Sequence, residues 1–223
     1  MLGLKALEIV KRLRPEVKIC FYGSKSRQTV QYEHEELGLL SVDACNALYN
    51  RCQVGLCLSS SNPSRIPFEM MAAGLPVVDL HLENNLYDMP DGALLLAHHT
   101  PEAIAAAVIR VLDDRELQKS MSEKGVAFMA DRPLEAGYRQ FLQAVDHIAE
   151  GRIPQCAPIP RSYRAEAVFG NAEIKRVSDA IVSEQAVYVE DGFLAKLKRN
   201  RFLRRNRLAR GVWQFVKCMR GRA

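Results

Sequence analysis

Residues 59–79 carry the side chains of this sequence that are best suited to bind an anionic ligand. An apolar run, 54–58, is followed by small polar residues and a proline: Ser59, Ser60, Ser61, Asn62, Pro63 and Ser64. Pro67 then predicts the start of a short helix that ends before Gly74. A helix start favours anions because its first N–H groups are unpaired and its dipole is positive there. Glu69, in the first turn, adds a carboxylate that can accept hydrogen bonds from the vicinal hydroxyls of a ribose.

The same pattern also has an ordinary structural explanation. Serine and asparagine before a helix commonly act as caps. Glutamate in a first turn is favoured by the helix dipole alone. The residue types therefore leave open whether this segment binds a nucleotide or only begins a helix.

Apolar runs that alternate with helical patterns predict the elements that would position this segment. Strands are expected at 17–22, 54–58, 76–80 and 93–97. Helices are expected from the start of the chain to Pro15, then at 42–51, 67–73 and 101–112, with two more before residue 150. This alternation predicts a doubly wound α/β domain with a parallel sheet. Because ligands bind beyond the carboxyl ends of such strands, the loops 23–27 and 59–65 are the candidate binding loops.

The formal net charge of +5 averages two unlike parts of the chain. Residues 1–150 contain 15 Lys+Arg and 20 Asp+Glu, a balance of −5, whereas residues 151–223 contain 16 and 6, a balance of +10. We therefore expect an α/β domain at 1–150 and a helical basic tail at 172–223. Between them, Pro154, Pro158 and Pro160 mark an extended linker at 151–171.

The end of the chain, 195–223, holds 11 basic and no acidic residues. Its apolar residues fall mainly on one side of a helix. Two explanations stay open: a solvated basic helix, or attachment to an anionic membrane surface. Nucleic-acid binding is disfavoured because no recognition motif or aromatic stacking platform accompanies the charge.

Several classes of protein are excluded or disfavoured by composition. No apolar run approaches the roughly 20 residues of a membrane span, and the six cysteines form no Cys-x-x-Cys pair. We expect a cytoplasmic protein with reduced thiols, peripheral on the inner face of the membrane if the tail binds lipid. A metal site is not expected at His98 and His99, which lack a third ligand nearby in sequence. His34, among glutamates, is expected in a surface loop.

The run from Ser61 to Val78, SNPSRIPFEMMAAGLPVV, resembles the donor-binding motif of GT-B glycosyltransferases of family 4. Its Asn-x-Ser-x-x-Pro lead and its Glu-Met-Met-Ala-x-Gly-Leu-Pro-Val-Val ending are most similar to the rhamnosyltransferase-like branch of bacterial polysaccharide synthesis. The resemblance covers roughly residues 1–150. It implies that this part is the Rossmann-like second domain of a GT-B fold, the domain that binds the nucleotide-sugar.

The resemblance also implies roles for individual residues. Glu69 matches the carboxylate that binds the ribose hydroxyls of the donor. Ser64, Ile66 and Pro67 match the helix start beside the diphosphate. Gly23, at the end of the first predicted strand, matches a glycine that lets the donor approach the main chain.

Two further positions follow from the same comparison, and a third from its place in the sequence. Asn62 belongs to the lead of the motif. Ser61 stands where the wider family has a glutamate often assigned to the transferred sugar, so a direct role for that carboxylate is lost. Asp79, at the end of its strand, is a further candidate for lining the donor cleft.

The implied reaction is transfer of a sugar, with retention of configuration, from a dTDP- or UDP-linked donor to a glycan or lipid-linked acceptor. The departing phosphate would help to take the acceptor proton, and no metal or other cofactor is expected. No catalytic residue is assigned, because the first domain of GT-B enzymes, which supplies acceptor contacts, is not recognised in these residues. It would come from a separate chain, or from a longer protein of which these residues are a fragment. The alternatives are a non-catalytic nucleotide-sugar-binding fragment and a membrane-associated interaction protein.

Overall fold

The computed structural model of the chain describes residues 2–61, 64–152 and 159–199. Helices and strands alternate through its first hundred residues, and helices follow. In chain order the elements are α1 Leu2–Leu13, β1 Cys20–Phe21, β2 Glu35–Glu36, α2 Val42–Tyr49, β3 Gly55–Leu56, α3 Ile66–Ala72, β4 Val77–Leu80, α4 Glu83–Asp88, β5 Leu94–Ala97, α5 Pro101–Asp113, α6 Arg115–Ala130, α7 Leu134–Ala149 and α8 Ala172–Arg199.

The strands form two sheets in which all neighbours are parallel. In the first sheet β1 pairs with β2, with Cys20 opposite Glu35. The second has the order β3-β4-β5, with Val77 opposite both Gly55 and Leu94. β4 is buried along its whole length, as expected for an apolar strand covered on both faces. The domain therefore has the Rossmann-like α/β fold that the sequence predicts.

Helices cover both faces of the second sheet. Alternate residues of a strand point to opposite faces. A side chain added at Gly55 would collide with Met70 of α3, whereas one added at Gly3 of α1 would lie 2.8 Å from a methyl group of Leu58. Thus α3 covers one face together with α6, and α1 covers the other together with α5. This two-sided burial is what makes the sheet the centre of the core.

All four predicted strands are present, but two elements were not predicted. One is the short helix α4. The other is β2, which begins directly after His34, while His34 itself lies outside any helix or strand and is partly buried. Main-chain pairing with β1 decides the structure here, since Glu35 N–H donates to Ile19 O at 2.8 Å. Charged side chains are tolerated because β2 has no partner on its outer side among the described residues.

The described part of the predicted linker, 159–171, packs against the α/β domain. Tyr163 is buried, and its hydroxyl accepts a hydrogen bond from Leu96 N–H at 3.2 Å. Val168 pairs with Ala97 in a parallel bridge, and its N–H donates to Leu96 O at 2.9 Å. This segment therefore lies along the outer side of β5 and is joined to it by main-chain hydrogen bonds. Contacts divide the chain into units Met1–Val177 and Ser178–Ala223, and the domain division at residue 150 stays a prediction.

Two other features of the helices bear on function. α7 has no buried residue, so its apolar side chains, such as Phe141, are exposed. Within the described residues no helix combines the length and the apolarity needed to cross a membrane. Most of the predicted basic tail, 200–223, lies outside the described residues.

Candidate functional site

The loop after β3 is held in place by Asp79, which lies on β4. Its Oδ1 accepts hydrogen bonds from Ser59 N–H and from Leu80 N–H, both at 2.7 Å. Its Oδ2 accepts from the Ser59 hydroxyl at 2.6 Å. The hydroxyl oxygen of Ser59 in turn accepts from Ser64 N–H at 3.4 Å. The first and last described parts of the loop are thus tied to one carboxylate.

Asp79 is fully buried, with a relative exposure of 0%. Burial raises the pKa of its carboxyl group, while the hydrogen bonds from Ser59 and Leu80 work in the opposite direction. Both oxygens are engaged within the protein, so Asp79 positions the loop and does not line a cleft. The expectation that it faces a ligand is replaced by this role.

Asn85 of α4 holds the other side of the same loop. Its side-chain amide donates to Ser59 O at 3.3 Å and to Leu80 O at 2.7 Å. Like Asp79 it is completely buried. Buried polar groups are retained when they are hydrogen-bonded, and this pair fixes where the chain leaves β3.

Glu69 is exposed in the first turn of α3, at the end of this loop. Its negative charge contributes to the raised pKa values of Tyr22 and Tyr49, after burial, which is the largest cause for each. The two tyrosine hydroxyls are 2.9 Å apart. Glu69 therefore lies within electrostatic reach of the end of β1 and the end of α2.

Gly23 follows Tyr22 at the carboxyl end of β1. Its φ of +88° lies in the left-handed region, which glycine adopts without strain. A Cβ added there would meet nothing within 4 Å. The main chain at this position is thus open to the approach of another molecule, and the role of Gly23 in donor binding stays a prediction.

The start of α3 offers fewer free amides than the sequence suggested. Ile66 N–H donates to the Ser64 hydroxyl at 3.3 Å, and Pro67 has no N–H. Glu69 N–H donates to Arg65 O at 3.1 Å. A bound diphosphate would therefore depend on loop groups and on nearby cations as well as on the helix start.

The remaining predicted site residues differ in how well they are placed. Ser61, in the loop, and Ile66 are exposed, and Pro67 is buried. Asn62 lies outside the described residues. Lys25 and Arg27 are exposed in the loop after β1.

The histidines show no metal site. Among the described residues no group of three or more His, Cys, Asp or Glu side chains could hold a metal ion. His98 instead stacks on Phe169, with ring centroids 5.1 Å apart, and lies 4.2 Å from the ring of His99. Its ring thus belongs to the contact between β5 and the segment 159–171.

Sequence reasoning missed two parts of this site. One is the hydrogen-bonding of Ser59 and Asn85 with the main chain and with Asp79. The other is the tyrosine pair, Tyr22 and Tyr49. The signal for the first was available, since a carboxylate ends one buried strand and an asparagine pair follows it. The pairing of Tyr22 with Tyr49 depends on tertiary structure and leaves no local pattern.

The fold and this loop define a Rossmann-like domain with a polar candidate ligand site at the carboxyl ends of its strands. Residues 1–109 match the family model described as WsaF, C-terminal domain. The match includes every element from α1 to β5, the loop 59–65 and Glu69.

Two known proteins are similar to parts of the chain. The O-antigen biosynthesis protein RfbC of Myxococcus xanthus is 37% identical over 111 residues, which is 47% of this chain and 9% of that protein. The chain thus spans only a small part of this relative. A solved structure described as a UDP-N-acetylglucosamine 2-epimerase from Listeria monocytogenes has a TM-score of 0.46 and 13% identity, covering 73% of this chain and 43% of the other.

Proposed function

We propose that residues 1–150 are the donor-binding domain of a retaining GT-B glycosyltransferase of family 4, of the rhamnosyltransferase-like branch. The donor would be a dTDP- or UDP-linked sugar, and the acceptor a glycan or a lipid-linked glycan of bacterial cell-surface polysaccharide synthesis. The observation that carries this proposal is the exposed carboxylate of Glu69 beside a loop anchored by Asp79. The match to the WsaF C-terminal domain and the similarity to an O-antigen biosynthesis protein support it.

The residues near the loop have distinct roles in this proposal. Glu69 accepts hydrogen bonds from the ribose hydroxyls of the donor. Ser64 contributes a polar group beside the diphosphate, Ser61 and Asn62 of the motif lead belong to the same donor site, and Gly23 leaves room for the donor at the end of β1. Ile66 and Pro67 shape the helix start, and Ser59 keeps the loop in place through Asp79.

The charge balance of the domain makes local hydrogen bonding decisive. Residues 1–150 carry a balance of −5, so the domain as a whole does not attract an anionic donor. Specific N–H and O–H donors must therefore offset that repulsion at short range. Lys25 and Arg27, exposed in the loop after β1, add positive charge on the side of Gly23.

Calorimetric titration of the full chain with dTDP-glucose and UDP-glucose tests the assignment. Glu69→Ala should weaken binding of the preferred donor at least tenfold, because the ribose hydroxyls lose a charged acceptor. Glu116→Ala is a matched control, since Glu116 is also an exposed glutamate in the first turn of a helix. Unchanged affinity for Glu69→Ala would show that the site is misassigned.

Whether the chain transfers sugar without further polypeptide is a separate question. The aligned region is 9% of the RfbC relative, and we propose that transfer requires an acceptor-binding part in addition to residues 1–150. The alternative is a non-catalytic nucleotide-sugar-binding protein. Donor binding without transfer in the presence of such a part would favour that alternative, and sugar transfer by the isolated chain would contradict both.

We further propose that the basic end, 195–223, docks the protein on the inner face of an anionic membrane. Its 11 basic and no acidic residues support this, as each Lys or Arg near such a surface contributes about 1 kcal/mol. The full chain should sediment with phosphatidylglycerol vesicles and not with phosphatidylcholine vesicles. Equal sedimentation after deletion of 195–223 would rule out this role of the tail.

A further inference from the structure

Arg132 lies in the short connection between α6 and α7, and its side chain is held against an aromatic ring. The central carbon of its guanidinium is 3.6 Å from the centroid of the Phe128 ring. Its Nη1 donates to Phe128 O at 2.7 Å, and its main-chain N–H donates to Met129 O at 3.0 Å. Pro133 follows and restricts the backbone further. The guanidinium therefore has a defined position although the residue is exposed.

The ring beneath Arg132 is itself stacked on α3. Phe128 stacks on Phe68, the residue before Glu69, with ring centroids 6.4 Å apart and planes inclined by 19°. Both rings are partly buried and pack against the core cluster. Stacking on an aromatic face orders an arginine and leaves its charge in place. Phe68, Phe128 and Arg132 thus join a cation at the end of α6 to the helix that carries Glu69.

Contacts between α3 and α6 show where Arg132 lies along α3. A Cβ added at Gly74, just after α3, would lie 3.0 Å from Ser122 Oγ. One added at Gly125 would lie 3.3 Å from Met71 Cβ. The two helices are therefore antiparallel, and the stacked phenylalanines come one turn nearer to the start of α3. One further turn brings Arg132 to the start of α3, where the loop after β3 ends.

The topology places Arg132 at the same edge of the sheet. α3 begins directly after β3, at the carboxyl edge of the parallel strands. α5 begins at that edge after β5 and runs back, and α6 returns, so α6 ends at the carboxyl edge. By the same path Arg110, in the last turn of α5, lies at the opposite edge. Helix register and topology thus agree on a cation beside the candidate site.

The charge of Arg132 suits an anionic ligand. Arginine has five N–H donors, and the bond to Phe128 O uses one of them. Among the described residues no carboxylate forms an ion pair with Arg132. The start of α3 has few free main-chain N–H groups, since Ile66 N–H is engaged and Pro67 has none. A diphosphate at this place would therefore depend on a side-chain cation.

We propose that Arg132 is a binding residue for the diphosphate of the donor. Its guanidinium donates to phosphate oxygens while Glu69 accepts from the ribose hydroxyls, so the two parts of the nucleotide are held by opposite charges. This inference rests on the proposed function. It adds a cation from outside residues 1–109, the part that the family model matches. Because the Phe128 ring already orders the side chain, little rotamer freedom is lost on binding.

Titrating the full chain calorimetrically with UDP, dTDP and inorganic pyrophosphate separates the two contacts. Arg132→Gln should weaken binding of pyrophosphate and of the preferred nucleotide by the same factor, about tenfold, because each loses a charge-assisted contact. Glu69→Ala should weaken binding of the nucleotide alone, since pyrophosphate has no ribose. Arg110→Gln is the matched control, an exposed arginine in the last turn of a helix, and should change neither affinity.

The outcomes distinguish this inference from the proposed function. Unchanged affinities in Arg132→Gln would overturn the inference, and the proposed function would stand if Glu69→Ala still weakened nucleotide binding. No binding of any of the three probes to wild type would overturn both. Weaker pyrophosphate binding in Arg132→Gln, with nucleotide binding unaffected by Glu69→Ala, would support the phosphate contact and contradict the role of Glu69 in donor binding.

Discussion

Asp79 accepts three hydrogen bonds through its two carboxylate oxygens, from Ser59 N–H, the Ser59 hydroxyl and Leu80 N–H. None of its acceptor atoms needs a ligand to be satisfied. The residue therefore determines where the loop 59–65 lies, while Glu69 is the exposed carboxylate to which we assign donor binding. In this proposal, binding and positioning are divided between two acidic residues ten positions apart.

Removing the Asp79 side chain should destabilise the fold. Asp79→Ala leaves Ser59 N–H and Leu80 N–H buried without an acceptor, and each such group costs about 1–3 kcal/mol. We expect a loss of about 2–4 kcal/mol in the free energy of unfolding, measured by urea denaturation. Asp88→Ala, at an exposed aspartate, should change it by less than about 0.5 kcal/mol. A loss as small for Asp79→Ala would contradict the anchoring role.

The pH dependence of stability should report the titration of Asp79. Burial raises the pKa of this carboxyl group in the folded state above its ordinary value of 3.8. Protonation therefore favours folding: the contribution is complete below the unfolded value and is lost as pH rises through the folded pKa. Wild type should gain stability relative to Asp79→Asn as pH falls from 8 to 4.

Urea denaturation at several pH values measures this difference. Titrations that are common to both proteins cancel. Asp43→Asn, at an exposed aspartate of α2, is the control. The free energy of unfolding of wild type minus that of Asp79→Asn should rise on acidification. If this value stayed constant or fell, Asp79 would not titrate as the structure implies.

At the scale of elements, sequence patterns predicted the strands that are buried apolar runs and missed the strand that depends on pairing with a distant segment. β4 and β5 are continuous apolar runs, and both were predicted within one residue of their ends. β2 consists of two glutamates, and only its pairing with β1 makes it a strand. The loop 59–65 and Glu69 were recognisable because their motif is local, whereas the tyrosine contact beside Glu69 joins two distant elements.

α3 and α7 should respond differently to loss of a large apolar side chain. Met71 of α3 is 1% exposed and packs against Gly125 of α6, whereas Phe141 of α7 is 66% exposed. Met71→Ala should cost about 2–5 kcal/mol through lost burial and a cavity. Phe141→Ala should cost less than about 0.5 kcal/mol. Chemical denaturation measures both, and a large loss for Phe141→Ala would mean that α7 is covered in solution.

At the scale of the whole molecule, charge and packing place the division of the chain differently. The charge balance changes sign after residue 150. Yet Tyr163 is buried within the core cluster that contains Leu86 and Met89. Ile174, at the start of α8, is also buried. Composition locates the beginning of the basic region after residue 150. The buried residues Tyr163 and Ile174 show that the packed core extends to the start of α8.

A chain cut at residue 150 should therefore be less stable than one cut at 177. The shorter chain loses Tyr163 from the core and leaves Leu96 N–H and His98 N–H without their partners in 159–171. Loss of a buried aromatic side chain alone costs about 3–5 kcal/mol, so we expect at least that decrease in the free energy of unfolding. The 1–177 chain retains these contacts and should unfold cooperatively in urea. Tyr163→Phe in 1–177 isolates the hydroxyl and should cost about 1–3 kcal/mol. Equal stability of the 1–150 and 1–177 chains would place the domain boundary where the charge changes.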